Sequence, residues 1–427
     1  MDDRSGSPPL LAMGFMCGTS LDGIDGSLIS VEQGKIRLLA FEESPFEPAF
    51  RQDMKNWISG RIGQEDPFRF MPDMGHLLAR TEVRLGELLL GKAGISSDLL
   101  CAVGTHGVTL RHQPKPHRLT FLSEAPEVDG ISFQLADPFP LACAFGAPVV
   151  SQFRGADLAV GGCGAPLAPI LHRAAFTAAE NRAFLNIGGI ANITGLPAAG
   201  SAIPVKAFDT GPGNMLLDLA VLALTDGQEA IDRNGGRARR GRVIRPLLED
   251  LLADPYFFRS PPKSTGREEW GEARLEGLLT SLRSTGVDPQ DRIDDLLATL
   301  TELTAEGIRK SLRFLDFPPR LIVAGGGGVR NRFLMERIEV LTGLPVRESG
   351  EFGLPPQAIE SAAFAYLALL TLSGRPGAIR SVTGAREEAV LGQITPPPSG
   401  LSSDRIRNVR ERAGIHLPSP DRPRTIG

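Results

Sequence analysis

The chain alternates short apolar runs with glycine turns. Leu10–Met16, Gly26–Val31 and Lys35–Phe41 read as three consecutive strands, the last two joined by an "EQGK" hairpin turn. In Met74–Leu90, the residues His76, Leu77, Leu78, Val83, Leu85, Leu88 and Leu89 recur near a 3.6-residue period and predict a helix. "LLCAVGTHG" follows as a strand ending in the glycines of Gly104–Gly107. The same pattern returns about 170 residues after the first. Ala183–Pro197 is strand, Gly-Gly turn, strand; Ile203–Asn214 is a third strand that ends at an aspartate and glycines; Met215–Leu224 is a helix. That spacing is too long for a solenoid repeat. It predicts a duplicated α/β fold, two related lobes facing one another across a cleft.

Further along, Asp288 is placed to cap a helix with Pro289 at its first position. Ile293, Leu296, Leu297, Leu300, Leu303, Ile308 and Leu312 then keep one apolar stripe. "RLIVAGGGGVRN" gives a buried strand, four glycines and a new helix start, and "PPQAIESAAFAYLALLTL" is the last strong helix. After Ile394 the chain turns Pro-rich and basic, as a flexible tail would. The expected division is a first lobe over 1–180, a second over 181–395 with the last helix packing at the lobe interface, and a tail over 396–427.

Composition narrows the function classes. The 427 residues are 42% hydrophobic and 22% charged, ordinary for a globular protein, and the formal net charge of −4 argues against an electrostatic grip on nucleic acid or anionic membrane. Cys17, Cys101, Cys143 and Cys163 form no C-x-x-C pair, which fits a reducing compartment and no zinc site. No apolar run approaches the ~20 residues that span a bilayer. The acidic opening "MDDRSGSPPLLAMGF" lacks a signal-peptide core, so a cytoplasmic location is expected.

The glycine turns carry the candidate chemistry. Bare backbone N–H groups at such turns can cradle phosphate oxygens. One turn spans Gly18, Thr19, Ser20, Leu21, Asp22 and Gly23, with Ile24 and Asp25 beside it. The equivalent place in the second half holds Asn186, Gly188 and Gly189, followed by Asp209, Gly211 and Gly213 in "FDTGPGN". Gly325, Gly326 and Gly327 follow a strand, which suits a nucleotide's adenosine or phosphate end. No P-loop or strand-linked G-x-G-x-x-G occurs. A carboxylate such as Asp22 beside phosphates calls for Mg²⁺ between them, held through water; otherwise Asp22 bonds its own backbone in an Asx-turn.

In "QFRGADLAVGGCGAPLAP", Arg154 and Asp157 precede a glycine-rich stretch that lets backbone approach a ligand; the plainer reading is an ion pair on a loop. "GTHGVTLRHQP" offers Thr105 and His106 as hydrogen-bonding partners for a substrate, with His112 as readily structural. Glu360 is the lone charge in an apolar helix, either at a lobe interface or facing a ligand.

Taken together, "GFMCGTSLDGID", "GTHGVTLRHQP", "QFRGADLAVGGCGAPL", "FLNIGGIANIT", "FDTGPGN", "PPKSTGREEW", "GGGGVRN", "IESAAFAYLA" and "VTGA" resemble, in order, the motifs of the anhydro-N-acetylmuramic acid kinases. The resemblance covers roughly residues 11–395. It implies the two-lobed actin/hexokinase/Hsp70-like ATPase fold, with a ribonuclease H-like mixed sheet in each lobe. It also implies ATP and Mg²⁺ as cofactors and an anhydro amino sugar as substrate. The 1,6-anhydro bridge would be opened and O6 phosphorylated, as in cell-wall recycling. By resemblance Asp157 is the base that activates water, and Arg154 positions sugar or phosphate. Gly18–Asp25 is the phosphate loop, and Glu360 faces the sugar. Gln152 stands where the family usually has aspartate, Cys17 where it has serine, and Lys115–Gly130 is longer than usual. A kinase of another anhydrosugar such as levoglucosan is the near alternative. Arg111 and Arg118 are then the candidates for discriminating a lactyl carboxylate. An actin- or Hsp70-like ATPase acting on a protein partner is disfavoured, because only a short tail follows the core. Whether two copies pair as a homodimer is left open.

Overall fold

The structure, a computed structural model, describes residues 8–18, 21–58, 67–120, 123–284, 286, 288–401 and 409. The chain divides into two compact units. One comprises the described residues of Met1–Ala175 and of Ala358–Gly427, the other Phe176–Gln357.

The first unit begins with β1 (Leu10–Met16), β2 (Gly23–Glu32) and β3 (Lys35–Pro45), an antiparallel meander. β1 is apolar and buried along almost its whole length, as befits a strand covered on both faces. β4 (Leu100–Thr105) pairs parallel to β1. A side excursion follows, with β5 (Val108–Gln113), β6 (His117–Arg118), β7 (Glu127–Val128) and β8 (Ile131–Leu135) forming two small antiparallel ladders. Lys115–Thr120 and Ser123–Gly130 are part of this excursion. β9 (Val149–Ser151) then returns parallel to β4.

The second unit repeats the plan. β10 (Arg182–Ile187), β11 (Ile190–Leu196) and β12 (Lys206–Pro212) form the antiparallel meander; β13 (Leu321–Gly325) and β14 (Val346–Glu348) are added parallel. The orders β3-β2-β1-β4-β9 and β12-β11-β10-β13-β14 are the same, which is the duplicated ribonuclease H-like sheet. A last strand, β15 (Gln393–Thr395), adds antiparallel to β9 at the edge of the first sheet.

The helix Ile359–Leu372 is buried all round except at Glu360 and packs directly on the first sheet. Glycine makes this approach feasible. A Cβ at Gly14 would sit 2.1 Å from the Ser361 carbonyl oxygen, and one at Gly104 would sit 2.2 Å from that of Phe364. Backbone lies on backbone there, and the Ser27 and Ser361 hydroxyls bond at 2.7 Å. The expected second lobe over 181–395 is therefore corrected. The unit ends at Gln357, because this helix and β15 complete the first sheet.

Two other expectations change. Asp288 caps a turn, accepting from Gln290 N at 3.0 Å, and the long helix starts later, at Ile293–Ser311. After Gly326 the chain makes a short 3₁₀ turn, and Asn331 then caps the helix Arg332–Thr342 by accepting from Leu334 N at 3.0 Å. The expected tail beyond Leu401 lies, but for Val409, outside the described residues.

Gly104→Ala is expected to lower unfolding stability by roughly 1–3 kcal/mol or more, since the displaced atom is backbone. Chemical denaturation checks it; a loss below about 0.5 kcal/mol would contradict the packing described.

Candidate functional site

In the first unit the parallel strands β1, β4 and β9 end on one edge. The segments at these strand ends carry Cys17, Gly18, Leu21–Asp25, Thr105–Gly107 and Gln152–Asp157, and Glu360 lies in the first turn of the helix packed on this sheet. Ligand sites in α/β sheets gather at such carboxyl ends.

Arg154 organises the edge. Its guanidinium donates from Nε (3.1 Å) and Nη2 (2.9 Å) to His106 Nε2, and from Nη1 (2.7 Å) to the Gly164 carbonyl. An arginine can only donate, so His106 Nε2 is the acceptor. Nδ1 then carries the proton and donates to the Gly107 carbonyl at 2.9 Å. Burial, with Arg154 beside it, pushes the His106 pKa down to about 3, so the ring is neutral. Burial also brings Arg154 down to about 10, opposed by the charge of Glu360, and the guanidinium stays cationic near neutrality. Gln152 adopts a left-handed φ of 53° and donates its amide to the Gln134 carbonyl at 2.7 Å.

Asp157 is completely buried. Its Oδ2 accepts from Gly164 N at 2.7 Å and its Oδ1 from the Thr383 hydroxyl at 2.8 Å. Thr105 is buried too, and its hydroxyl donates to Glu82, 2.8 and 3.0 Å from the two carboxylate oxygens. As placed, Thr105 and His106 bond to protein groups, while Glu360 is exposed and couples electrostatically to Arg154 and Asp25. Desolvation at the helix start raises the Glu360 carboxyl, and Arg154 opposes the rise.

Glu82 and Thr383 were not anticipated. Glu82 falls on the apolar stripe of the helix Pro67–Ala93, four residues after Leu78 and three before Leu85, and that misplaced acid was the available signal. Burial lifts its pKa to about 8, with the Thr105 bond lowering it and Asp137 raising it. Thr383 sits in the "VTGA" motif, whose sequence alone names no partner.

Of the first turn, Thr19 and Ser20 lie outside the described residues. Leu21 N donates to Gly18 O at 3.0 Å, and Leu21 has a φ of 55°. Asp25 lies within β2, opposite Met16 on one side and Glu43 on the other. Burial, then Glu43, Glu360 and Asp22, raise it to about 7. Asp22 is exposed and paired with Arg51. Burial and neighbouring acids push Cys17 up to about 12, so its thiol stays protonated.

In the second unit the glycine turns also gather at one sheet end. Asn186 pairs with Gly325 across the parallel ladder, and Gly211 and Pro212 lie opposite Ala191 and Ile190. Gly326 has a φ of 79°, and a Cβ there would meet Asn186 Oδ1 at 2.6 Å. The Gly188 and Gly189 carbonyls accept from the amides of Gly213, Asn214 and Met215, which anchors the helix Met215–Leu224. Gly189 and Gly327 are exposed, and no atom lies within 4 Å of a Cβ built on Gly327. Backbone is thus open to a ligand at this end. Asp209 Oδ2 accepts from Thr265 N at 3.0 Å, and burial raises the carboxyl to about 6.

Two units with one sheet order make a duplicated α/β architecture, with glycine turns at a sheet end of the second unit open to a ligand. The family model for anhydro-N-acetylmuramic acid kinase matches residues 10–397. Curated relatives named anhydro-N-acetylmuramic acid kinase are similar along 90% of this chain. They include proteins from Variovorax paradoxus (40% identical, 99% of that protein covered), Cupriavidus pinatubonensis (38%, 98% covered) and Salinibacter ruber (37%, 96% covered). The chain belongs to the anhydro-N-acetylmuramic acid kinase family.

Glu82 gives a pH prediction with a definite sign. A carboxyl raised from 4.5 to about 8 on folding supplies stability that is complete below 4.5 and lost as pH rises through 8. Glu82→Gln removes the titration. Across that window wild type should lose stability relative to the variant by up to ~1.4 kcal/mol per pH unit. Denaturation midpoints of both proteins between pH 4 and 9 check this; parallel curves would contradict it.

Proposed function

We propose that this chain uses ATP to open the 1,6-anhydro bridge of 1,6-anhydro-N-acetylmuramic acid and to phosphorylate O6. The products are N-acetylmuramic acid 6-phosphate and ADP. The observation that carries the reading is the family match over residues 10–397, which takes in both sheet ends. The relatives named for the muramic sugar weigh against another anhydrosugar. The reading puts the enzyme in the cytoplasm, where ATP is made available.

Opening an internal acetal requires a nucleophile at the anomeric carbon and a stabilised leaving oxygen. A glycosidase divides these tasks between two carboxyl groups. In this reading Asp157 takes a proton from water as the water attacks the anomeric carbon. O6 leaves not as an alcohol but onto the γ-phosphoryl group of ATP, so no separate acid is required. Gly164 and Thr383 hold the Asp157 carboxylate in one orientation. Arg154, held by the neutral His106, is a fixed cation for developing negative charge. Glu360 accepts hydrogen bonds from the sugar. Thr105 acts through Glu82 and His106 through Arg154.

By resemblance Gly18–Asp25 is the phosphate loop of the first unit; in the second unit Asn186, Gly188, Gly189, Asp209, Gly211, Gly213, Gly325, Gly326 and Gly327 form a glycine-rich sheet end suited to a nucleotide. Mg²⁺ would keep several waters and rely on phosphates for part of its shell. Burial and then the acids Glu43, Glu360 and Asp22 raise Asp25 to about 7, and this acidic cluster is where a cation is favoured, with Asp25 and Asp22 as holders through water. Mg²⁺ bound there would neutralise phosphate charge.

Mass spectrometry of products from ATP and the anhydro sugar should show the 6-phosphate and ADP in equal amounts. Asp157→Asn should cut kcat by ~10²–10⁴-fold while leaving ATP binding nearly intact. Retention of more than about a tenth of kcat would remove Asp157 from the role of base.

A further inference from the structure

We infer that Thr383 is a positioning residue that sets the orientation of the Asp157 carboxylate; this rests on the reading of Asp157 as the base. The two residues are 226 apart in sequence, both essentially closed to solvent, and joined at 2.8 Å. Their contact is part of a larger clasp. The Thr383 carbonyl accepts from Cys163 N at 2.8 Å, and Arg386 N donates to Val160 O at 3.0 Å. The Thr383–Arg386 segment therefore runs beside Val160–Gly164, the loop whose Gly164 N–H binds the other Asp157 oxygen. Gly384, with a φ of 76°, ends the short helix Arg380–Thr383 and turns the chain back along that loop. The loop itself wraps closely: a Cβ on Gly162 would come within 2.1 Å of Asp157 Oδ2.

Two donors on two different oxygens do what one cannot. The carboxylate torsion of an aspartate is broad and intrinsically soft. One hydrogen bond fixes one oxygen and leaves the plane of the group free to turn. The second fixes the plane, and with it the direction of the lone pair that meets water. A base that swings loses rate through misalignment, and substrate affinity is untouched. The hydroxyl is the operative group, so the threonine methyl is dispensable and an isosteric valine is not a substitute.

Steady-state kinetics with ATP and the anhydro sugar test this on Thr383→Val, Thr383→Ser and Thr383→Ala, with Asp157→Asn measured alongside. Thr383→Val is expected to lose roughly tenfold or more in kcat with both KM values within about twofold, and Thr383→Ser to stay within about threefold of wild type. A folded Thr383→Val with wild-type kcat overturns the inference. If that variant does not fold, Ser and Ala decide. Serine faster than alanine by roughly fivefold or more supports it, and a smaller difference overturns it. An inactive Asp157→Asn beside an unimpaired Thr383→Val sinks the positioning role alone. An active Asp157→Asn sinks the base reading and this inference with it.

Discussion

The first unit depends on one close approach: the helix Ile359–Leu372 lying backbone-on-backbone against Gly14 of β1 and Gly104 of β4. Any side chain at either glycine would push the helix off the sheet. The helix comes from late in the chain, yet this contact makes it part of the first unit's core. It fixes Phe364 against the His106 ring, centroids 4.6 Å apart, and against Phe153 at 5.2 Å. It also sets Glu360 where its charge acts on Arg154 and on Asp25. A packing constraint between bare backbones thus becomes an electrostatic constraint at the sheet edge.

The charges at that edge are sorted by what each group can bond. His106 gives its acceptor nitrogen to Arg154 and is driven neutral, so the guanidinium remains the cation. Asp157 has a donor for each oxygen. Glu82 has one hydroxyl in a buried setting and is lifted to about 8. Burial thus favours the neutral form of both His106 and Glu82. Burial and the acids Glu82, Asp25 and Asp22 keep the Cys17 thiol protonated.

Local pattern made part of this legible. Leu10–Met16 and Met215–Leu224 match their expected bounds because each is a mostly apolar run closed by glycine or threonine signals. The duplication was visible because both halves place glycines after the same strands. What failed was long-range. A boundary at 395 followed chain order, whereas helix and β15 return to the first sheet. Asp288-Pro289 carries a good helix-start signal, but the chain spends it on a turn. Asp157 was found from its glycine-rich surroundings, while its partner Thr383 could not be, since nothing in a sequence of this kind reports a contact across 226 residues. Thr105 and His106 were identified as polar residues at a strand end, but their bonds to Glu82 and Arg154 depend on elements folded elsewhere.

The central chemical claim is that one water, activated by Asp157, attacks the sugar while O6 takes the phosphoryl group. Turnover in ¹⁸O-water, read promptly because the free anomeric hydroxyl exchanges with solvent, tests it most directly. The account predicts label on C1 of the sugar phosphate and none in the phosphate group. Label in inorganic phosphate, with the sugar phosphate unlabelled at early times, would contradict it.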